Sequence, residues 1–134
     1  MSQENVEAFE RAVEASNGSD YDALLAEFDP EVEWRGVMGV MFGGEAAVFR
    51  GHAGVLEYLR DIEGFTVRDI HLAELRDLGE RVVGLGHARG RGRESGIELD
   101  SPYGAVAEFR NGKIIAYRDF FDHGEVLEAA GLSE

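Results

Sequence analysis

Residues 113–132, KIIAYRDFFDHGEVLEAAGL, set one carboxylate among aromatic neighbours. Side chains of an extended chain alternate, so Ile115, Tyr117, Asp119 and Phe121 share a face. Asp119 is the acid on that face. Desolvation favours the protonated form of a carboxylate and suits it to proton transfer near neutral pH. Asp119 is therefore the first candidate general acid/base. The alternative is a structural ion pair with a strand neighbour such as Arg89 or Arg110.

A second group comes from VVGLGHARGRGR, where Val83, Leu85, His87, Arg89, Arg91 and Arg93 share a face. The opposite face, Gly84, Gly86, Ala88, Gly90 and Gly92, carries almost no side chain. If the first face lines a pocket, His87 can shuttle a proton. Arg89 can then hold an anionic oxygen or Asp119 itself. If the faces are reversed, the arginines are solvated or pair with acids across a dimer. Tyr103 and Tyr117 can each offer a phenol to a substrate oxygen. Trp34 is expected beside the pocket or in the core, with an indole N–H that needs an acceptor. Phe121 would complete the apolar lining. Asp122, followed by Glu125, has the spacing of a helix cap and is assigned that structural role.

The elements that must position these residues follow from periodicity. Val6, Phe9 and Val13 with Ala8, Ala12 and Ala15 predict a helix over 3–16. Tyr21, Leu24, Leu25 and Phe28 predict a second over 20–28, ended by Asp29-Pro30. Val32 and Trp34 point the same way from a strand over 31–35. The segment GVMGVMFGGEAAVFRG is too apolar for a solvated loop and too rich in glycine for a helix. It predicts a lid over a cavity or an irregular edge strand, and Met38 and Phe42 would then touch a ligand. A third helix covers 52–62. Strands are expected over 65–75, 81–93, 97–110 and 113–121, with turns at Asp77-Leu78-Gly79 and Asn111-Gly112.

Helices gathered early and strands late imply one α+β domain over residues 1–134. The expected architecture is a cone-shaped, curved antiparallel sheet with the N-terminal helices packed over its concave face. Such a cone has an interior suited to a small ligand.

Composition narrows the function. The formal charge is −14, from 27 acidic against 13 basic residues. That charge disfavours nucleic acid and anionic membrane surfaces. There is no cysteine, which excludes disulfides, thiol nucleophiles and zinc-thiolate sites. The four histidines are scattered, so no metal site is expected. No phosphate-binding glycine loop lies between a strand and a helix, and no cofactor is expected. No apolar run approaches the ~18 residues of a membrane span, and the expected location is cytoplasmic.

EFDPEVEW after the second helix, FRGHAGVLEYL entering the third and FRNGKIIAYRDFFD near the end carry a family resemblance. Over essentially its full length the chain resembles the SnoaL-like branch of the nuclear transport factor 2-like superfamily. The resemblance implies the cone-shaped fold and a homodimer through the outer face of the sheet. The superfamily includes isomerases, dehydratases, cyclases, epoxide hydrolases and non-catalytic binders. YRDFFD is similar to a strand of the limonene epoxide hydrolase relatives, and Asp119 matches an active-site aspartate there. By the same resemblance His87 stands where those enzymes have an arginine, and Arg89 where they have a second aspartate. Trp34 and Gly36 replace their water-orienting tyrosine and asparagine.

Likeness to polyketide cyclases and ketosteroid isomerase implies acid/base chemistry on a small apolar molecule with a polar oxygen. Isomerisation, cyclisation or hydration without a cofactor would fit. The rivals are a non-catalytic small-ligand binder and a dimeric interaction module with a filled core.

Overall fold

The computed structural model describes residues 2–36 and 47–132. The elements run α1 Ser2–Asn17, α2 Tyr21–Ala26, β1 Phe28–Gly36, β2 Ala47–Arg50, α3 Gly51–Phe65, β3 Thr66–Asp77, β4 Arg81–Gly92, β5 Glu98–Arg110, β6 Lys113–Phe120 and α4 His123–Ala129. The six strands form one curved, unclosed sheet in the order β2-β1-β6-β5-β4-β3. The class is α+β, as expected. Neighbouring strands are antiparallel except β1 and β6, which run parallel.

Local signals account for the boundaries. Asp20 caps α2, its side chain accepting from the Ala23 N–H at 3.2 Å. Asp122 caps α4 in the same way, accepting from the Glu125 N–H at 3.0 Å. Asn111 and Gly112 have φ of 53° and 79°. This pair of left-handed residues gives the tight turn that folds β6 back on β5. Phe28, expected in a helix, instead opens β1. Pro102 lies exposed within a continuous β5.

Two cores lie on opposite faces of the sheet. On the inner face, α1, α2 and α3 bury Phe9, Leu24, Val55 and Leu59 against Val32, Trp34, Val82, Ala105, Ala107, Ile114 and Tyr117. On the outer face, α4 brings Val126 and Ala130 against Val83, Leu85 and Val106. Fully burying one such aliphatic side chain is worth about 1.5–3 kcal/mol, so even the smaller core matters.

The sheet bends over α1 because β4 turns its bare face inward. Gly84 meets the ring of Phe9, and a Cβ there would sit 3.1 Å from it. Gly86 lies under a register shift of β3 between Leu72 and Glu74. A Cβ on Gly86 would fall only 1.9 Å from the backbone oxygen of His71. At the edge, the Asn17 side chain donates to the Ile70 carbonyl at 2.7 Å and accepts from the Ile70 N–H at 2.9 Å.

Candidate functional site

The site is built on the inner ends of β1, β5 and β6. In register, Trp34 lies beside Tyr117, Tyr117 opposite Ala107, and Asp119 opposite Ala105. Alternation then carries Trp34, Tyr103, Tyr117 and Asp119 to the inner face. Asp119 is only 3% exposed, the one charged residue among the buried polar groups of the described residues. The inward turn expected from the β6 pattern is what the structure shows. The pattern differs lower in the strand, where a register shift between Glu108 and Phe109 leaves Ile115 half-buried. Ile114 takes the core position instead.

Asp119 accepts from one phenol, which a second phenol supports. Tyr103 Oη donates to Asp119 Oδ2 at 2.9 Å, and Tyr103 Oη lies 3.0 Å from Tyr117 Oη. A phenol has one proton. Because Tyr103 gives its proton to the carboxylate, Tyr117 donates to Tyr103. The chain of donors therefore runs Tyr117 to Tyr103 to Asp119. Burial first, then the negative charge of Asp119, pushes the Tyr103 phenol well above its ordinary value. Tyr103 thus stays protonated and remains a donor. The phenols are positioned rather than free to serve a substrate oxygen, which narrows the role expected for them.

Around this relay the wall is apolar and aromatic. Trp34 packs on Tyr117 with ring centroids 4.6 Å apart and on Tyr58 at 5.4 Å. Phe28 and Phe9 lie 6.4 Å and 5.9 Å from Tyr117. Phe121 packs 6.2 Å from Tyr103. A cavity of about 30 Å³ runs between Ala12, Leu59, Ile62, Trp34, Tyr103 and Asp119. That is room for a water molecule or two. The indole N–H of Trp34 has no acceptor among the described residues.

His87 and Arg89 are not at this site. Their face of β4 is the outer one, because Val83 and Leu85 on the same face pack under α4. The His87 side chain is 56% exposed and places Nδ1 3.3 Å from Asp100 Oδ1. Arg89 is 77% exposed, with Nε 3.6 Å from Asp100 Oδ2. The pairing with Asp119 expected for Arg89 is replaced by this surface cluster. Exposed pairs of this kind are worth about 0–1 kcal/mol. His87→Ala and Arg89→Ala are expected to shift thermal stability little, read by melting. Met38 and Phe42, expected over the pocket, lie outside the described residues. The described part of that stretch, Ala47–Arg50, forms the short edge strand β2.

The raised Tyr103 pKa has a pH consequence with a definite sign. The folded value exceeds the unfolded value, which is about 10. The phenol therefore contributes stability that is full below pH ~10 and is lost as pH rises beyond it. Tyr103→Phe removes one hydrogen bond to a buried carboxylate, a loss of about 2 kcal/mol near pH 8. The same variant should lose stability less steeply above pH ~10. Urea unfolding from pH 8 to 11 reads both, and an unchanged alkaline slope would contradict the assignment.

The geometry defines the class of protein. The family model for SnoaL-like domains matches residues 9–117, and the chain belongs to that family. No curated protein matches it. Among solved structures, a nuclear transport factor 2-like protein of unknown function from Burkholderia pseudomallei superposes with a TM-score of 0.80. It shares 25% identity, covering 93% of this chain and 95% of its own. TerC, co-crystallised with polyporic acid, gives a TM-score of 0.79 at 25% identity, over 93% of this chain and 96% of its own. An LEH-like epoxide hydrolase from Mycobacterium tuberculosis shares the fold, with a TM-score of 0.73 at 19% identity over 94% and 88% of the two chains. Among the described residues no helix is long and apolar enough to cross a membrane, and no group of three or more potential metal ligands is present.

Proposed function

We propose that this protein is a cofactor-independent enzyme that moves a proton on a small apolar molecule bearing a carbonyl or related polar oxygen. Isomerisation, cyclisation and hydration all use such a step. One observation carries the reading: a carboxylate 3% exposed, hydrogen-bonded by Tyr103, in the wall of an aromatic cavity. The Tyr103 hydrogen bond fixes the direction of the Asp119 carboxylate in the cavity wall, and a positioned carboxylate is a general acid/base. Asp119 would take a proton from the carbon next to the carbonyl, leaving an enolate. The protonated carboxyl would exchange its proton with water in the cavity, and Asp119 would then deliver a proton to the same carbon or to a conjugated one.

Hydrogen–deuterium exchange tests this without knowledge of the natural substrate. In D₂O the protein should catalyse exchange beside the carbonyl in a series of small ketones beginning with acetone, followed by NMR. Asp119→Asn should abolish it. A series in which no ketone exchanges faster than in buffer removes the catalytic reading.

Non-catalytic binding of a small ligand is the second reading. TerC, 25% identical, was co-crystallised with polyporic acid, so a protein of this fold can take up a small organic molecule. Ligand uptake with no exchange in any ketone would favour it.

Self-association through the outer face of the sheet belongs to the same proposal. Arg35 and Arg118 are register partners there, with Glu33 and Glu108 two residues along. A face carrying both signs can complement a second copy of itself. Sedimentation velocity reads the outcome, and a monomer at high concentration would remove it.

A further inference from the structure

The relay beside Asp119 leaves open which group binds the oxygen of a ligand. Tyr103 has spent its proton on the carboxylate, and Tyr117 has spent its own on Tyr103. The Trp34 side chain lines the same cavity and is 6% exposed. Its Nε1 is shut off from solvent and has no acceptor among the described residues. A buried N–H left without an acceptor costs about 1–3 kcal/mol, and such a donor in a native fold calls for an explanation. The packing of Trp34 against Phe28, Tyr58 and Tyr117 holds the indole in place.

We infer that the Trp34 indole N–H is the donor that binds the substrate's oxygen, and that this oxygen belongs to a neutral carbonyl rather than a carboxylate. The inference rests on the reading of the cone as a ligand site and narrows the ligand. The donor is neutral, so it offers no counter-charge. A carboxylate brought into the same cavity would face the buried Asp119 carboxylate without compensation. A ketone or aldehyde brings an acceptor and no charge. Trp34 is thus a specificity-determining group, and its contribution does not titrate.

The chain has one tryptophan, so its indole gives a single, assignable ¹H–¹⁵N signal. Acetone places the least demand on a cavity of about 30 Å³. Titration with acetone should move the indole proton downfield. Isobutene, the same shape without the oxygen, and acetate should not. Trp34→Phe keeps the aromatic body and removes the N–H. It should lower the preference for acetone over isobutene by roughly 3- to 10-fold. The indole shift should persist in Asp119→Asn.

An indole signal that stays still while other cavity signals respond to acetone overturns the inference, as does a full acetone preference in Trp34→Phe. An equal response to acetate overturns the neutral-carbonyl assignment. No response anywhere overturns both this inference and the reading of the cone as a ligand site. An indole shift without hydrogen–deuterium exchange supports the inference and removes only the catalytic step.

Discussion

Asp119→Asn is expected to slow ketone exchange by about 10²- to 10⁴-fold while changing stability by no more than about 1 kcal/mol. The two effects separate because asparagine matches the shape of aspartate and keeps an oxygen where Tyr103 donates. It loses the charge, and with it the basicity. The hydrogen bond weakens when its acceptor becomes neutral, but the cost of burying a charge disappears at the same time. Asp119→Ala behaves differently. It strips the buried Tyr103 phenol of its acceptor and opens space in the wall, so it should destabilise by about 2–3 kcal/mol. Thermal melts and NMR exchange on both variants give the comparison. An Asp119→Asn protein that retains exchange would take the carboxylate out of the chemistry. One that unfolds would make it a structural group.

The second large effect is on the fold. Gly86→Ala should cost about 3 kcal/mol or more, the size expected when backbone must move. The added methyl would lie 1.9 Å from the His71 oxygen and 2.8 Å from the Leu72 Cα. Neither can swing aside as the end of a side chain can. The β3 strand would have to lift away from β4, and with it the contacts that α1 makes with Ile70 through Asn17. Gly79→Ala supplies the contrast. It has φ of 88° and open space around it, so it pays for backbone strain but not for collision, about 1–2 kcal/mol. Equal losses at the two positions in urea unfolding would contradict the close-approach argument.

The β6 strand shows what alternation can reveal. Tyr117, Asp119 and Phe121 share a face because chemistry at period two admits nothing else, and aromatic neighbours mark that face as buried. The cap at Asp122 and the turn at Asn111-Gly112 were equally readable, since each depends on residues adjacent in sequence. The β4 strand shows where this stops. Alternation groups Val83, Leu85, His87 and Arg89 correctly, but says nothing about which side of the sheet they occupy. Valine and leucine fit either orientation, and the interior takes Val82, Gly84, Gly86 and Ala88. The apolar pair is buried by α4, whose partner strands cannot be inferred from its own short sequence. The bulge that exchanges Ile114 for Ile115 depends on register with β5, and the parallel pairing of β1 with β6 depends on topology. Neither leaves a local trace. The Tyr103–Asp119 hydrogen bond spans two strands and became visible only once their register was known.

The amide of Asn17 has one further consequence. The β3 strand is the long outer member of the sheet, and an open strand border is a template on which another molecule's strand can grow. The Asn17 side chain occupies both hydrogen-bonding positions of Ile70 in the manner of a one-residue strand. An incoming chain would have to evict it before pairing past that point. The first helix therefore does more than roof the cone: its last residue fills this position of the sheet's open edge.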